Sequence, residues 1–340
     1  MNFSQAKKVL CILLGLVLLF GMTMAAEAAQ TRIKISLDVP KDHECYARFE
    51  EFGRKVNADT DNAFRFELYP SSQLGDYTLV TEEVIRGNVE MLVGSVNTGV
   101  DSRFDLTFTP YLANGLDDVA NVFGPGSFVY EKDRAMLAEN GMVMLGFDVI
   151  GMGGISFGNK IPADPYAIGG GGSMLCRSPG NEHVRVFLSE MGYNPTSVNW
   201  SEIYTSVQTG VIDCFVGAVA SNAWLQFRDV IKAYAPIDIW AEVQYIVFSE
   251  KIWKELTPAQ QAVFEKHAAE LFLQSIEETR ATDDGYYKQL QEAGIQVIFP
   301  KPGDLDRMAQ MARQKAWPAA ERRLGTELYH ELMDHYGLSY

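Results

Sequence analysis

Between residues 31 and 96 the hydrophobic period changes repeatedly, and this alternation decides the fold class. Ile33, Ile35, Leu37 and Val39 recur at every second residue, as in a strand. Tyr46, Phe49, Phe52 and Val56 then recur at helical spacing. Residues 64–69 alternate again. A turn at residues 70–75 leads into a helix carrying Leu79, Val80 and Val84, which stops near Gly87, and residues 89–96 form a continuous apolar strand. Parallel neighbours need long crossover connections, so a β-α-β-α-β order predicts a mainly parallel, doubly wound α/β sheet.

The same rhythm continues with strands at 142–150, 174–177 and 211–216, and with an extended run at 243–248 suited to crossing between domains. A long helix follows. Thr257 can cap it, Pro258 fits the first helical position and Gln260 completes a capping box. Its pattern persists for about 35 residues, well beyond the three to four turns of an ordinary globular helix. Gly294 ends it, a strand spans 295–299, and a last helical stretch runs from 304 to 336 with Pro318 as a kink or break.

The N-terminus predicts a signal peptide over residues 1–28. Lys7 and Lys8 precede the apolar run 9–24, and Ala26-Glu27-Ala28 is a small-x-small cleavage site. That run is shorter than the roughly 20 residues a spanning helix needs, and Cys11 lies inside it, away from the cleavage point. Cleavage leaves enough chain for two domains. It also takes net charge from −15 to −16, because Lys7, Lys8 and Glu27 leave together. Such acidity, with no basic stripe, argues against nucleic-acid partners. Cys45, Cys176 and Cys214 remain, an odd number that allows no complete disulfide framework. Cys176 and Cys214 are either bonded to each other or, the favoured reading, two buried thiols.

No catalytic, metal or cofactor constellation is visible. His330 and His335 are five residues apart, too far to stack on one helix face. The run 169–172 is all glycine but lacks the Lys-Ser/Thr of a phosphate-binding loop, and no Gly-x-Ser-x-Gly elbow occurs.

Five segments carry a family likeness in their order and spacing. They are Phe-Glu-Leu-Tyr-Pro-Ser-Ser-Gln-Leu-Gly at 66–75, Thr-Glu-Glu-Val-Ile-Arg-Gly at 81–87, Phe-Asp-Leu-Thr-Phe-Thr-Pro-Tyr-Leu at 104–112, Ser-Glu-Ile-Tyr at 201–204 and Gln-Thr-Gly-Val-Ile-Asp at 208–213. With Arg177 upstream of the last two, the chain resembles the solute receptors of TRAP (tripartite ATP-independent periplasmic) transporters. The resemblance implies a two-lobed, periplasmic-binding-protein-like α/β fold: two doubly wound sheets joined by long hinge strands and spanned by the long helix. Lobe 1 is expected at 29–152 plus 243–282, and lobe 2 at 153–242 plus 283–340. It implies a periplasmic monomer that traps a small organic acid by hinge closure and delivers it to TRAP membrane permease subunits.

By the same likeness Arg177 is the arginine that grips the carboxylate, through the planar fork of a guanidinium. Trp200 matches an aromatic set against the substrate, or else is a core tryptophan. Asn97, at a strand end, either lines the cleft or serves its turn. Two departures stand out. Many sugar-acid receptors of this type carry a second arginine where residues 153–158 have none, and an asparagine where this chain has Gly217. Aromatic side chains, Phe157, Trp224 and Trp240 among them, are available instead. The expected ligand is therefore a monocarboxylate with an apolar or aromatic part, such as an aromatic amino acid or aryl keto acid. An ABC-type or sensor binding protein, or an extracytoplasmic enzyme with an inter-lobe cleft, is the alternative.

Overall fold

The computed structural model describes residues 30–339; the signal-peptide reading of 1–28 and Cys11 lie outside them. In chain order the strands are β1 (Thr31–Leu37), β2 (Phe64–Tyr69), β3 (Met91–Gly94), β4 (Met142–Met152), β5 (Ile155–Phe157), β6 (Leu175–Ser178), β7 (Asn194–Ser197), β8 (Cys214–Val216), β9 (Ala233–Ala235), β10 (Ala241–Ser249) and β11 (Gln296–Val297). They form two sheets, ordered β2-β1-β3-β10-β4 and β11-β9-β5-β8-β6-β7.

The expected parallel pairings hold where helices intervene: β1 with β2 and β3, and β6 with β7 and β8. Each sheet also contains an antiparallel strand. β10 runs against β3 and β4, and β5 runs against β8 and β9. Both are the strands by which the chain enters one sheet directly from the other, so no crossover helix sets their direction.

The two crossings lie side by side. Gly153 N–H donates to Trp240 O (2.8 Å) and Ile239 N–H donates to Gly153 O (3.0 Å). A third segment joins them, with Tyr111 N–H donating to Ile239 O at 2.7 Å. These three strands of backbone form the hinge.

The helix Pro258–Glu292 is 35 residues long and begins with the expected Thr257–Gln260 capping box. Its first half buries Phe264, Ala268 and Leu271 against β1 and β3. Its last turns bury Tyr286 and Leu290 in the core of the second lobe. Near its middle the first lobe is clamped by a buried ion pair: Arg48 Nε and Nη2 reach the two oxygens of Asp148 at 2.7 and 2.6 Å, and Nη1 reaches Glu278 at 2.8 Å. One guanidinium thereby ties helix Glu44–Asp59, β4 and the long helix together.

The C-terminus differs from the expected partition. Helix Asp304–Met311 packs on the second lobe through Met308 and Ala309. Pro318 does not stop the chain: a π-helical turn at Ala312–Ala316 absorbs its missing N–H, and helix Trp317–Leu324 follows. Trp317, Leu324, Leu328 and Leu332 belong to the core of the first lobe, where Trp317 Nε1 donates to Pro110 O at 2.7 Å. The last helices therefore return to lobe 1, although 283–340 reads from sequence as lobe 2.

Candidate functional site

A cavity lies between the two sheets. The carboxyl ends of parallel strands converge on it, the position in which open α/β sheets bind ligands. Asp38 follows β1, Ser95 follows β3, Arg177 is the penultimate residue of β6 and Gly217 follows β8.

Arg177 is 4 % exposed. Its Nε donates to Val198 O at 2.8 Å, and its guanidinium carbon lies 5.7 Å from the centroid of the Trp200 ring. These contacts fix its plane. Among the described residues the two terminal nitrogens have no hydrogen-bond or ion-pair partner. Burial pulls its pKa down, opposed by Tyr77, Glu242 and Asp76. A guanidinium remains charged regardless, so this is a desolvated cation with free donors.

Trp200 opens the short 3₁₀ turn Trp200–Glu202 and rests edge-on against Phe227 at 5.4 Å. Trp240 comes from the hinge. It is buried, stands edge-on to Phe108 at 5.7 Å and donates from Nε1 to Glu242 Oε2 at 2.8 Å. Gln244 Nε2 reaches the other oxygen of Glu242 at 3.2 Å, while Gln244 Oε1 is buried with no partner. Burial pushes Glu242 up to about 7, a shift that Asp38 reinforces while Trp240 and Arg177 oppose it. Asp38 is likewise pushed up to about 7 by burial, with Asp76 adding to it and backbone N–H groups of Asp38 and Ser95 opposing.

Of the residues singled out from sequence, Arg177, Trp200 and Trp240 line this cavity; Asn97, Phe157 and Trp224 do not. Asn97 spends its groups on its own turn and on helix Tyr77–Arg86: Nδ2 donates to Thr78 O, Oδ1 accepts from Gly99 N–H, and its backbone N–H donates to Thr81 Oγ1. Phe157 is fully buried in the second lobe, 6.5 Å from Tyr193, because its strand lies in the middle of that sheet. Trp224 packs at the rim of another second-lobe core, under the Arg228 guanidinium at 5.0 Å.

Sequence reading missed Asp38, Tyr77, Asn222, Gln226, Glu242 and Gln244. A signal existed for two of them. In the run 241–248, Glu242 and Gln244 are the polar members of an otherwise apolar extended segment, and β10 is an inner strand. Polar side chains on a buried strand need partners or a cavity.

Cys176 and Cys214 are register neighbours on β6 and β8, and both are free, buried thiols. Among the described residues no three His, Cys, Asp or Glu side chains are grouped to hold a metal ion, and no helix is long and apolar enough to cross a membrane.

The sequence matches the family described as bacterial extracellular solute-binding protein, family 7, over residues 35–322. The sialic acid-binding periplasmic protein SiaP of Vibrio cholerae is 20% identical over 288 residues, 82% of this chain and 87% of that protein. Among solved structures, a TRAP periplasmic solute binding protein from Desulfovibrio salexigens with bound orotic acid aligns with a TM-score of 0.81. It is 18% identical and covers 91% of this chain and 98% of that one. One from Haemophilus influenzae with bound L-gulonate gives 0.79 at 20% identity, covering 90% and 99%. At these identities the structural likeness shows the two-lobed fold. The match over residues 35–322 shows the family: this chain belongs to bacterial extracellular solute-binding protein family 7.

Proposed function

We propose that this receptor binds a small organic acid with its carboxylate on Arg177 and an apolar or aromatic part against Trp200 and Trp240, and hands it as a monomer to the membrane permease subunits. The observation that carries this reading is the state of Arg177. Its Nε is spent on Val198 O, its face lies on Trp200, and its terminal donors face the cavity unpaired. Leaving a desolvated charge without a partner costs several kcal/mol, and an entering carboxylate removes that cost with a bidentate contact. The structural relatives hold acids in the corresponding fold, orotic acid in one and L-gulonate in another.

The reading favours a ligand with few hydroxyls, because Trp240 fills the space beside Gly217. It also favours binding without turnover and without nucleic acid. Among the described residues, the nucleophile–base contact nearest to an enzymatic pair is His43 Nε2 with Ser221 Oγ at 2.9 Å. His43 Nδ1 accepts the Cys45 N–H, so the ring proton sits on Nε2 and points at the serine. Such a histidine cannot take the serine proton.

Calorimetric titration against matched acids tests the reading: aryl and apolar monocarboxylates, orotate, succinate, L-gulonate and D-glucuronate. Tight binding of an aryl or apolar monocarboxylate, recovered unchanged, supports it. Tight binding of a sugar acid with silence toward the others overturns the substrate preference.

A further inference from the structure

The charges in the cavity are divided between its walls. The second lobe supplies one cation, Arg177 on β6. The first lobe supplies two carboxylates, Asp38 at the end of β1 and Glu242 on β10. Among the described residues none of the three makes an ion pair, although all line the same cavity. Beside Glu242, the side-chain oxygen of Gln244 is buried without a donor, on a residue only 3 % exposed. It is a second, independent sign of an absent hydrogen-bond donor on the first-lobe wall.

We propose that the ligand carries a protonated nitrogen as well as its carboxylate, the nitrogen being held on the first-lobe wall by Asp38, Glu242 and the free oxygen of Gln244. This rests on the carboxylate reading of Arg177 and narrows it to an aminocarboxylate zwitterion, as against a keto or unsubstituted acid. A ligand with only a negative charge would satisfy Arg177 and leave two carboxylates and an amide oxygen facing its uncharged end. A zwitterion supplies a complement to each wall. Its ammonium has three N–H donors, and the acceptors waiting on that side come from three residues. The indole of Trp240, which already donates to Glu242 Oε2, leaves the carboxylate's remaining lone pairs for the ligand. Because opposite charges sit on opposite lobes, the ligand is also the bridge that holds the lobes together, as differential contact with the closed state requires.

The test pairs each amino acid of the twenty with its deaminated or keto counterpart, for example phenylalanine with 3-phenylpropionate and phenylpyruvate, in calorimetric titrations of the whole receptor. The expected result is that at least one amino acid binds about 100-fold more tightly than its counterpart, the scale of a charge-assisted contact in a desolvated site. Glu242→Gln and Asp38→Asn should each reduce that ratio to roughly tenfold or less while Arg177→Ala abolishes binding of both members. If the deaminated acid binds as well as the amino acid, or if no amino acid binds, the inference fails. If the ratio holds but Arg177→Ala leaves binding intact, the underlying carboxylate reading fails instead. The comparison of unmodified ligands on unmodified protein stands even if a variant does not fold.

Discussion

Trp240 occupies the space that a side chain at position 217 would need. A Cβ built on Gly217, whose φ is +104°, falls 2.7 Å from Trp240 Cζ2. The asparagine that the family likeness suggests here could not coexist with this indole in its present place. Gly217→Ala should therefore destabilise the protein by about 1–3 kcal/mol through strain and overpacking and weaken ligand binding. Combining it with Trp240→Ala should give back part of the loss, with a coupling of about 0.5–3 kcal/mol in a double-mutant cycle of urea unfolding. Strict additivity would show that the two positions do not compete.

Arg177→Ala should leave the fold intact and remove ligand-induced thermal stabilisation. At 100 times the dissociation constant, ligand adds about 2.7 kcal/mol to the native protein; the variant should show no shift. Arg177→Lys keeps the charge but loses both the fork and the anchoring bond to Val198 O. It should weaken binding about tenfold or more. A full shift in the alanine variant would move the carboxylate site elsewhere.

The Arg48–Asp148 clamp should matter for stability and not for ligand choice. Asp148 is fully buried and Arg48 is 4 % exposed, so Asp148→Ala leaves a buried guanidinium with Glu278 as its one carboxylate partner among the described residues. The expected cost is about 3–5 kcal/mol, read from the urea midpoint. A loss below about 1 kcal/mol would mean that water or Glu278 compensates fully.

Stability of the empty receptor should fall as pH rises from about 4 to about 8. Asp38 and Glu242 are both pushed up to about 7 in the folded protein, whereas unfolded carboxyls titrate near 4. At these two carboxyls the folded state binds more protons than the unfolded one across that window, so they favour unfolding as pH rises; buried His43, pulled down to about 3 by burial, opposes them below about pH 6.5. The groups facing them are Asp76 and the backbone N–H of Ser95 for Asp38, and Trp240, Gln244, Asp38 and Arg177 for Glu242. Melting temperature followed over pH should show the decline, and Glu242→Gln should flatten it. An unchanged slope in Glu242→Gln would show that this carboxyl is not perturbed.

Much of the architecture is readable from the chain because period and turn chemistry are local. Ile33, Ile35 and Leu37 are all fully buried in β1, and Thr257, Pro258 and Gln260 start the long helix as their chemistry requires. The destination of an amphipathic helix is not local. Nothing in the pattern of Trp317, Leu328 and Leu332 says which sheet their apolar face covers, and they cover the first. The cavity was half legible for the same reason. Arg177, Trp200 and Trp240 were found through likeness and aromatic character. Asp38 and Gln244 acquire their meaning only when β1 and β10 are brought opposite β6. Phe157 and Trp224 show the converse, since aromatic character alone does not distinguish a cavity wall from a core.

Trp240 is itself part of the pivot, with its carbonyl bonded to Gly153 and its indole forming a wall of the cavity. A guest that presses on this ring pushes on the axle of the molecule. Under hinge closure, sensing the cargo and swinging the jaws shut would be one mechanical act, with no relay needed between them.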